Sequence, residues 1–262
     1  MSSGPLQATP ASLAAIDWQR PWLAPFAGHA GAVREGLARG LSVADLLNEL
    51  AQAQAAQGGP AVPVRFVPQA CLPEGQAYED FIARHRQVPT RDNLHDLFNG
   101  LTWLTLPLAK ARLNALQAAQ IAGAGVGATR GAVRDALTLF DENAALLQAP
   151  EPLLEALKAR QWQRLFIELR PLWAQAQVLL FGHAAQEKLQ APRKAITAHV
   201  YLPRQPLPAQ GLDAALAADL EAAYLAEKPY APLPILGIPG WWPANENFSF
   251  YDDSQVFRPT RR

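Results

Sequence analysis

The sequence is poor in cysteine and in charge. Cys71 is the single cysteine among 262 residues, which excludes an intramolecular disulfide and a zinc site built from cysteines. Charged residues make up 18%, with 23 Lys and Arg against 23 Asp and Glu. A formal net charge of zero supplies no field that gathers phosphates or anionic lipid. We therefore expect no nucleic-acid partner.

Long apolar runs are also missing. The most apolar region, residues 172–185, is interrupted by glutamine, glycine and histidine, so it predicts a core element and no membrane span. Residues 1–10 contain neither a basic region nor an apolar run, so we expect no signal peptide. Together these features predict a cytoplasmic protein without a membrane partner.

Proline separates the middle of the chain from its ends. Its 23 copies are about 9% of the residues, against a usual frequency of roughly 5%, and they gather near the ends and at joints. The Ala, Leu and Gln-rich segments between them have apolar residues at helical spacing. We predict a single domain, mostly α with a small minor β-sheet (α+β). Its expected parts are an N-terminal arm and lead-in over 1–40, a helical core over 41–228, and a Pro/Trp-rich C-terminal arm over 229–262 that wraps the core.

Local signals predict where elements begin and end. Ser42 precedes apolar residues at helical spacing and predicts a capped helix up to Gln57. A helical region over 92–122 should be kinked or divided at Pro107, because proline lacks the amide hydrogen. Short strands are predicted at residues 64–67, 137–140, 145–147, 178–181 and 196–201.

A first polar cluster lies on the predicted helix that follows Thr90. Four of its residues, at i, i+3, i+4 and i+7, share one face: Asp92, His95, Asp96 and Asn99. A carboxylate near an imidazole orients its tautomer and raises its basicity, as general bases and metal ligands require. The plainer alternative is that Asp92 caps the helix while His95 and Asn99 make buried hydrogen bonds.

Two adjacent acids form the second cluster. Asp141 and Glu142, followed by Asn143, are predicted at a strand end or hairpin turn, because asparagine tolerates positive φ. A carboxylate pair there can hold a divalent cation or act as acid and base, although a plain turn is the commoner outcome. Arg91 and Arg134 are candidates to pair with an anionic substrate.

The third cluster has metal-ligand character. On a helix, His183 and Glu187 lie at i and i+4 on one face, and His199 lies on a predicted strand that can return to them. Two imidazoles and one carboxylate are the minimal set for zinc or nonhaem iron with an open position for water. The alternative is that no metal binds: a histidine packed in the core, beside a helix face exposed to solvent, explains the same spacing about as well.

Residues 123–128 match the Gly-x-Gly-x-x-Ala dinucleotide fingerprint. The fingerprint requires a buried strand directly before it, whereas the preceding segment is predicted as helix. We therefore expect no nucleotide cofactor.

The C-terminal arm is dense in aromatic residues. Trp241 and Trp242 are expected to insert into surface grooves, since large aromatics mostly serve burial. Alternatively they roof a pocket or stack on a substrate.

Six motifs in order carry a family resemblance: PTRDNLHDLFN at 89–99, RDALTLFDEN at 134–143, FGH at 181–183, EK at 187–188, ITAH at 196–199 and GIPGWWP at 237–243. With them the chain resembles the bacterial family catalogued as domain of unknown function 3025, over roughly residues 40–258. The resemblance implies one structural unit over almost the whole chain and no assigned activity. The polar clusters coincide with the family's motifs, and residues 123–128 fall outside them.

Two functional hypotheses follow. The first is an enzyme, most plainly a metal-assisted hydrolase that uses a divalent metal such as zinc and acts on a small-molecule substrate. The second is a noncatalytic binding or scaffolding protein, whose polar clusters form a buried hydrogen-bond network and whose tryptophan-rich arm meets a protein partner. The sequence leaves the oligomeric state open.

The enzyme hypothesis assigns a role to each polar cluster. The expected metal ligands are His183, Glu187, His199 and Asp141. The expected catalytic residues are His95, Asp96 and Glu142, with Glu142 or Asp96 as the base that acts on a bound water. The expected substrate-binding residues are Arg91, Asn99, Arg134, Asn143, Trp241 and Trp242.

Overall fold

The computed structural model describes residues 10–124 and 131–259. Residues 1–9, most of the segment searched for a signal peptide, and residues 125–128, most of the glycine fingerprint, lie outside them. Within the described residues the predicted class is confirmed, because helices dominate and the strands form two small sheets. No helix of these ranges is both long and apolar enough to cross a membrane.

The helices and strands follow one another along the chain, joined by loops, 3-10 helices and a π-helical segment at Arg164–Glu168. The α-helices are α1 (Pro10–Ala14), α2 (Ala30–Ala38), α3 (Val43–Ala56), α4 (Tyr78–His85), α5 (Leu94–Thr105), α6 (Pro107–Ala124), α7 (Ala132–Asn143), α8 (Glu151–Lys158), α9 (His183–Lys188), α10 (Leu212–Asp219) and α11 (Ala222–Ala226). The strands are β1 (Arg65–Pro68), β2 (Gln87–Thr90), β3 (Ala144–Gln148), β4 (Gln177–Leu180), β5 (Thr197–Tyr201) and β6 (Tyr230–Pro234).

Helix α3 confirms the predicted cap. The Ser42 hydroxyl accepts the amide hydrogen of Asp45 at 3.1 Å, which satisfies a donor that the first turn leaves free. The alternative in which Asp92 caps α5 is wrong in this detail. Asn93, not Asp92, accepts the amide of Asp96 at 2.7 Å. Asp92 instead accepts the amide of Val43 at 2.7 Å, so it serves the first turn of α3 from a distant part of the chain.

Pro107 divides the long helical region as predicted. Helix α5 ends at Thr105 and α6 begins at Pro107, because proline has no amide hydrogen and its ring clashes with the preceding turn. The free backbone amides at the start of α6 find their acceptor in a residue from a distant part of the chain. The Asp213 carboxylate accepts the amides of Leu108 and Ala109 at 2.9 and 2.8 Å.

The predicted strand over 137–140 and the hairpin turn after it are wrong. Helix α7 continues to Asn143, and β3 begins at the next residue. Leu137 and Phe140, three positions apart, are fully buried, whereas the two residues between them are half-buried. This helical spacing packs α7 against the core, and it carries Asp141 and Glu142 on the last helical turn.

The main sheet has four strands in the order β4-β3-β5-β6. Strands β3 and β5 are parallel, and the two outer pairs are antiparallel. Strand β6 comes from the segment predicted as the C-terminal arm, so that segment contributes an edge strand. Strands β1 and β2 form a separate parallel pair.

Two cores of buried apolar side chains pack the helices and sheets together. The larger contains Trp22, Phe98 and Phe166, and the smaller contains Phe140 and Phe181, whose rings pack at 4.8 Å. Phe140 directly precedes the acids at the end of α7, and Phe181 lies two residues before His183. The smaller core therefore anchors the ends of two helices from which polar side chains project.

Candidate active site

Three helices bring polar side chains together at their ends. Helix α9 packs against both α5 and α7. The first turn of α5 supplies His95, the last turn of α7 supplies Glu142, and the first residue of α9 is His183. One ligand atom from each lies within 4.8 Å of the other two. Across residues 10–124 and 131–259, this group of histidines and acids meets the spacing that a metal ion needs.

Gly182 sets how closely α9 approaches α7. A Cβ at this position would lie 2.4 Å from the backbone nitrogen of Asn143, a distance that no side chain tolerates. The Gly182 amide also donates to the carbonyl of Ala144 at 2.9 Å. Only glycine permits this contact, which places His183 directly beside the acids of α7.

The two imidazoles face each other. The Nε2 atoms of His95 and His183 are 2.9 Å apart, and the two rings meet edge to face. On its other side, Nδ1 of His95 is 2.9 Å from Oε2 of Glu187. Because Glu187 accepts from Nδ1, the neutral form of His95 carries its proton there, and Nε2 keeps a lone pair directed at the cluster.

His183 is the buried member of the pair. Its side chain is 4% exposed, against 29% for His95. Its Nε2 is 3.5 Å from Oε2 of Glu142, and its Nδ1 is 3.9 Å from Oδ1 of Asp141. One imidazole therefore reaches two successive carboxylates of α7, one on each side of the ring.

A buried ion pair closes the rear of the site. The Lys110 ammonium, with a side chain 4% exposed, is 2.5 Å from Oδ1 of Asp141. The same ammonium lies 5.6 Å from the ring centre of Trp103 and 5.7 Å from that of Phe181. Lys110 thus compensates the charge of Asp141 behind His183.

Burial and neighbouring charge shift the pKa values of His183 and His95 in opposite directions. Burial lowers the pKa of His183 to about 3, so its ring is neutral at physiological pH. Burial also lowers the pKa of His95, but its hydrogen bond to Glu187 and the charge of Glu142 outweigh that effect and leave the pKa above its usual value.

The two acids of α7 also differ. Burial raises the pKa of Glu142, and the negative charge of Asp141 raises it further. Burial opposes ionisation of Asp141 as well, but the positive charge of Lys110 outweighs it and holds the pKa of Asp141 below its usual value. Asp141 therefore remains an anion fixed by Lys110, whereas Glu142 is the acid that gains most from a new cation.

The remaining polar residues of α5 are engaged with each other. Asp96, 6% exposed, accepts from the backbone amide of Arg91 at 2.6 Å and from its guanidinium at 2.9 and 3.1 Å. Asn99 donates to the Tyr78 hydroxyl at 3.2 Å, and its Oδ1 is buried with no hydrogen-bond partner among the described residues. Asp96 thus holds Arg91 and not the histidines.

Four other predicted residues lie outside the group. His199 is on β5, paired with Ala144, so the imidazole that meets His183 is His95. Arg134 is two helical turns before Asp141 on α7. Trp241 packs on Trp22 at 6.2 Å, and Trp242 also packs against the larger core.

Two lysines near the site were not among the predicted site residues. Lys110 had a weak signal, since it and Arg112 are the two charged residues of α6, which is otherwise mostly apolar. Lys188 ends α9, and it donates to Oδ1 of Asn143 at 3.3 Å. Lys188 is near His183 in sequence, but the contact of Lys110 with Asp141 joins residues 31 positions apart, so no local pattern predicts it.

The family resemblance is confirmed. A family model described as "Protein of unknown function (DUF3025)" matches residues 64–261, about three quarters of the chain, so the chain belongs to this family. The matched range contains all the site residues discussed above. No curated protein and no solved structure matches the chain.

Proposed function

We propose that this protein is a metal-dependent hydrolase whose ion is held by His95, His183 and Glu142. The observation that carries the proposal is the convergence of one atom from each side chain within 4.8 Å. Two imidazoles and a carboxylate suit zinc and other divalent transition metals. The ligand set differs from the sequence-based one, because His95 and Glu142 take the place of His199, Glu187 and Asp141.

The surroundings of His95 support this assignment. Metal-binding histidines commonly donate their second ring N–H to a carboxylate, which fixes the tautomer. Glu187 lies 2.9 Å from Nδ1 of His95 and has this role. Nδ1 of His183 has no hydrogen-bond partner among the described residues, and Asp141, held by Lys110, lies 3.9 Å from it, too far for a hydrogen bond. Glu187 therefore fixes the tautomer of His95, whereas Asp141 would have to move closer to do the same for His183.

The spacing suits a tetrahedral ion after a small adjustment. Bonds of about 2.0–2.1 Å place neighbouring ligand atoms roughly 3.3 Å apart. The separation of 3.5 Å between His183 and Glu142 is close to that value, and the 2.9 Å between the two Nε2 atoms must widen. His95 is partly exposed, so it has room to move while His183 stays packed.

Three protein ligands are typical of catalytic metal sites, whereas structural zinc sites have four. The side chains of His95 and Glu142 are 29% and 31% exposed, so the open side of the cluster faces solvent. A bound divalent ion lowers the pKa of water and polarises a carbonyl or phosphoryl oxygen. Glu187 would hold the proton on Nδ1 of His95 throughout, and the Lys110 pair would keep Asp141 ionised.

Metal content tests the ligand set. The protein is loaded with zinc, manganese or cobalt, desalted and assayed by elemental analysis beside variants His95→Ala, His183→Ala and Glu142→Gln. We expect about one equivalent in the parent and its loss in all three variants. His199→Ala is the matched control, because it removes a histidine outside the cluster and should retain the metal.

Stability and activity complete the test. An ion present at a thousandfold its Kd adds about 4 kcal/mol to stability, so a chelator should lower the Tm of the loaded protein and leave Glu142→Gln unaffected. Metal-dependent turnover of carboxylic esters, amides or phosphate esters, lost in Glu142→Gln, is the expected activity. Failure to bind any of these metals would overturn the proposal and favour the alternative of a noncatalytic binding protein.

A further inference from the structure

One cation at the mouth of the site has no anionic partner. Arg91 forms an ion pair with Asp96, and Lys110 forms one with Asp141. Lys188 is exposed and donates to the neutral Asn143, and no carboxylate of the described residues pairs with it. Lys188 directly follows Glu187, whose Oε2 lies 2.9 Å from Nδ1 of His95, so its charge adjoins the ligand group.

The position of Lys188 follows from two neighbouring residue pairs. On α7, Glu142 belongs to the metal group and Asn143 follows it. On α9, Glu187 holds His95 and Lys188 follows it. The hydrogen bond of 3.3 Å from Lys188 to Asn143 joins the two pairs. Asn143 and Lys188, which follow Glu142 and Glu187 in the sequence, therefore form a polar pair at the edge of the site.

We propose that Lys188 and Asn143 bind an oxyanion group of the substrate, a carboxylate or a phosphate, next to the ion. This inference rests on the proposed metal-dependent function. The Lys188 ammonium uses one hydrogen for Oδ1 of Asn143 and retains two for a ligand. Because Oδ1 of Asn143 accepts from the lysine, its Nδ2 can donate to the same anion.

The charge balance of the site favours an anion. Four carboxylates act on or adjoin the ligand group: Glu142, Glu187, Asp141 and Asp96. Three cations oppose them: Lys110, Lys188 and Arg91. A divalent ion bound by two neutral imidazoles leaves one net positive charge. A substrate oxyanion would neutralise it, and Lys188 is the cation free to make the contact.

Anion titration of the cobalt-loaded protein tests the proposal. Acetate and inorganic phosphate are titrated separately, and binding is followed through the visible absorption of cobalt. We expect Lys188→Ala to weaken the bound anion about tenfold or more, as loss of a charged hydrogen bond does, with cobalt content unchanged. Lys188→Arg should restore most of the affinity. The anion with the lower Kd identifies the substrate group as carboxylate or phosphate.

Lys158→Ala is the matched control. Lys158 ends α8 as Lys188 ends α9, so both changes remove a lysine from a last helical turn. It should leave anion affinity unchanged. Equal affinity in Lys188→Ala and the parent, or no anion binding by the cobalt-loaded protein, would overturn the proposal for Lys188 while the metal site remained.

The failure of the metal site is distinguishable from the failure of the anion site. A protein that takes up no cobalt contradicts the proposed function. Phosphate and acetate are then titrated into the metal-free protein by calorimetry. Binding that is lost in Lys188→Ala and kept in Lys158→Ala supports the anion site, and absence of such binding overturns it.

Discussion

The segment around Asn245 and the helix junction around His183 are both buried and polar, yet their hydrogen bonds run to different partners. The Asn245 amide donates to the backbone carbonyls of Leu236 and Ile238 at 2.9 and 2.8 Å. Its Oδ1 accepts from Arg170 at 3.3 Å. Each polar atom of this buried side chain therefore has a partner, and most partners belong to the backbone.

At the helix junction, side chains meet side chains. His183 faces His95 on one edge and lies near Glu142, whose own pKa is raised by burial and by Asp141. Such an arrangement leaves lone pairs and negative charge directed at one point. An amide satisfied by backbone carbonyls stabilises a fold. Imidazoles and carboxylates that converge on each other remain able to bind a ligand or exchange a proton.

The largest expected loss of stability concerns the buried ion pair of Lys110 and Asp141. Lys110→Met leaves Asp141 buried without its cation, and we expect a loss of about 3–5 kcal/mol in the free energy of unfolding. Urea denaturation in the presence of chelator measures it. The double variant Lys110→Met/Asp141→Leu should recover most of the loss, since it removes the unpaired charge. A single variant as stable as the parent would show that Lys110 does not support Asp141.

The next effect tests the C-terminal segment. Asn245→Ala strands two buried carbonyls, and about 2–3 kcal/mol of stability should be lost without any change in metal content. Asn247→Ala is the matched control, because that exposed side chain accepts only from Ser249 nearby. We expect it to cost about 1 kcal/mol or less. Loss of metal in Asn245→Ala would contradict the separation of the two regions.

A smaller loss is expected where the two helices touch. Gly182→Ala pushes a methyl group into the backbone of Asn143, so α9 must shift, at a cost of about 1–3 kcal/mol together with weaker metal binding. Gly131→Ala is the control, since a Cβ there meets nothing within 4 Å. Thermal melting and metal titration of both variants check the prediction. Unchanged metal affinity in Gly182→Ala would show that the close approach does not position His183.

The smallest effect on stability should come from the site itself. Glu142→Gln removes a carboxylate that Asp141 already disfavours, so the metal-free protein should change by no more than about 0.5 kcal/mol in either direction. The same variant should lose its metal. Chemical denaturation with chelator, paired with elemental analysis, separates the two. A large loss of stability would place Glu142 in a structural network like that of Asn245.

Some features were predictable because their causes are local. The Ser42 cap, the break at Pro107 and the short helix α9 that carries both His183 and Glu187 depend on residues within a turn or two. The strand predicted over 137–140 failed because a short apolar run fits both a buried strand and one face of a helix. The length of α7 and its packing decided between them.

The sequence by itself determined the class of the fold, the family and the polar residues from which any site must be built. The tertiary structure alone decided which of them meet: His95 with His183 and Glu142, and not His199. The physical reason is that local spacing sets the face of one helix, whereas a site between helices depends on how distant segments pack. In this chain that packing rests on Gly182, whose missing side chain allows α9 to reach α7.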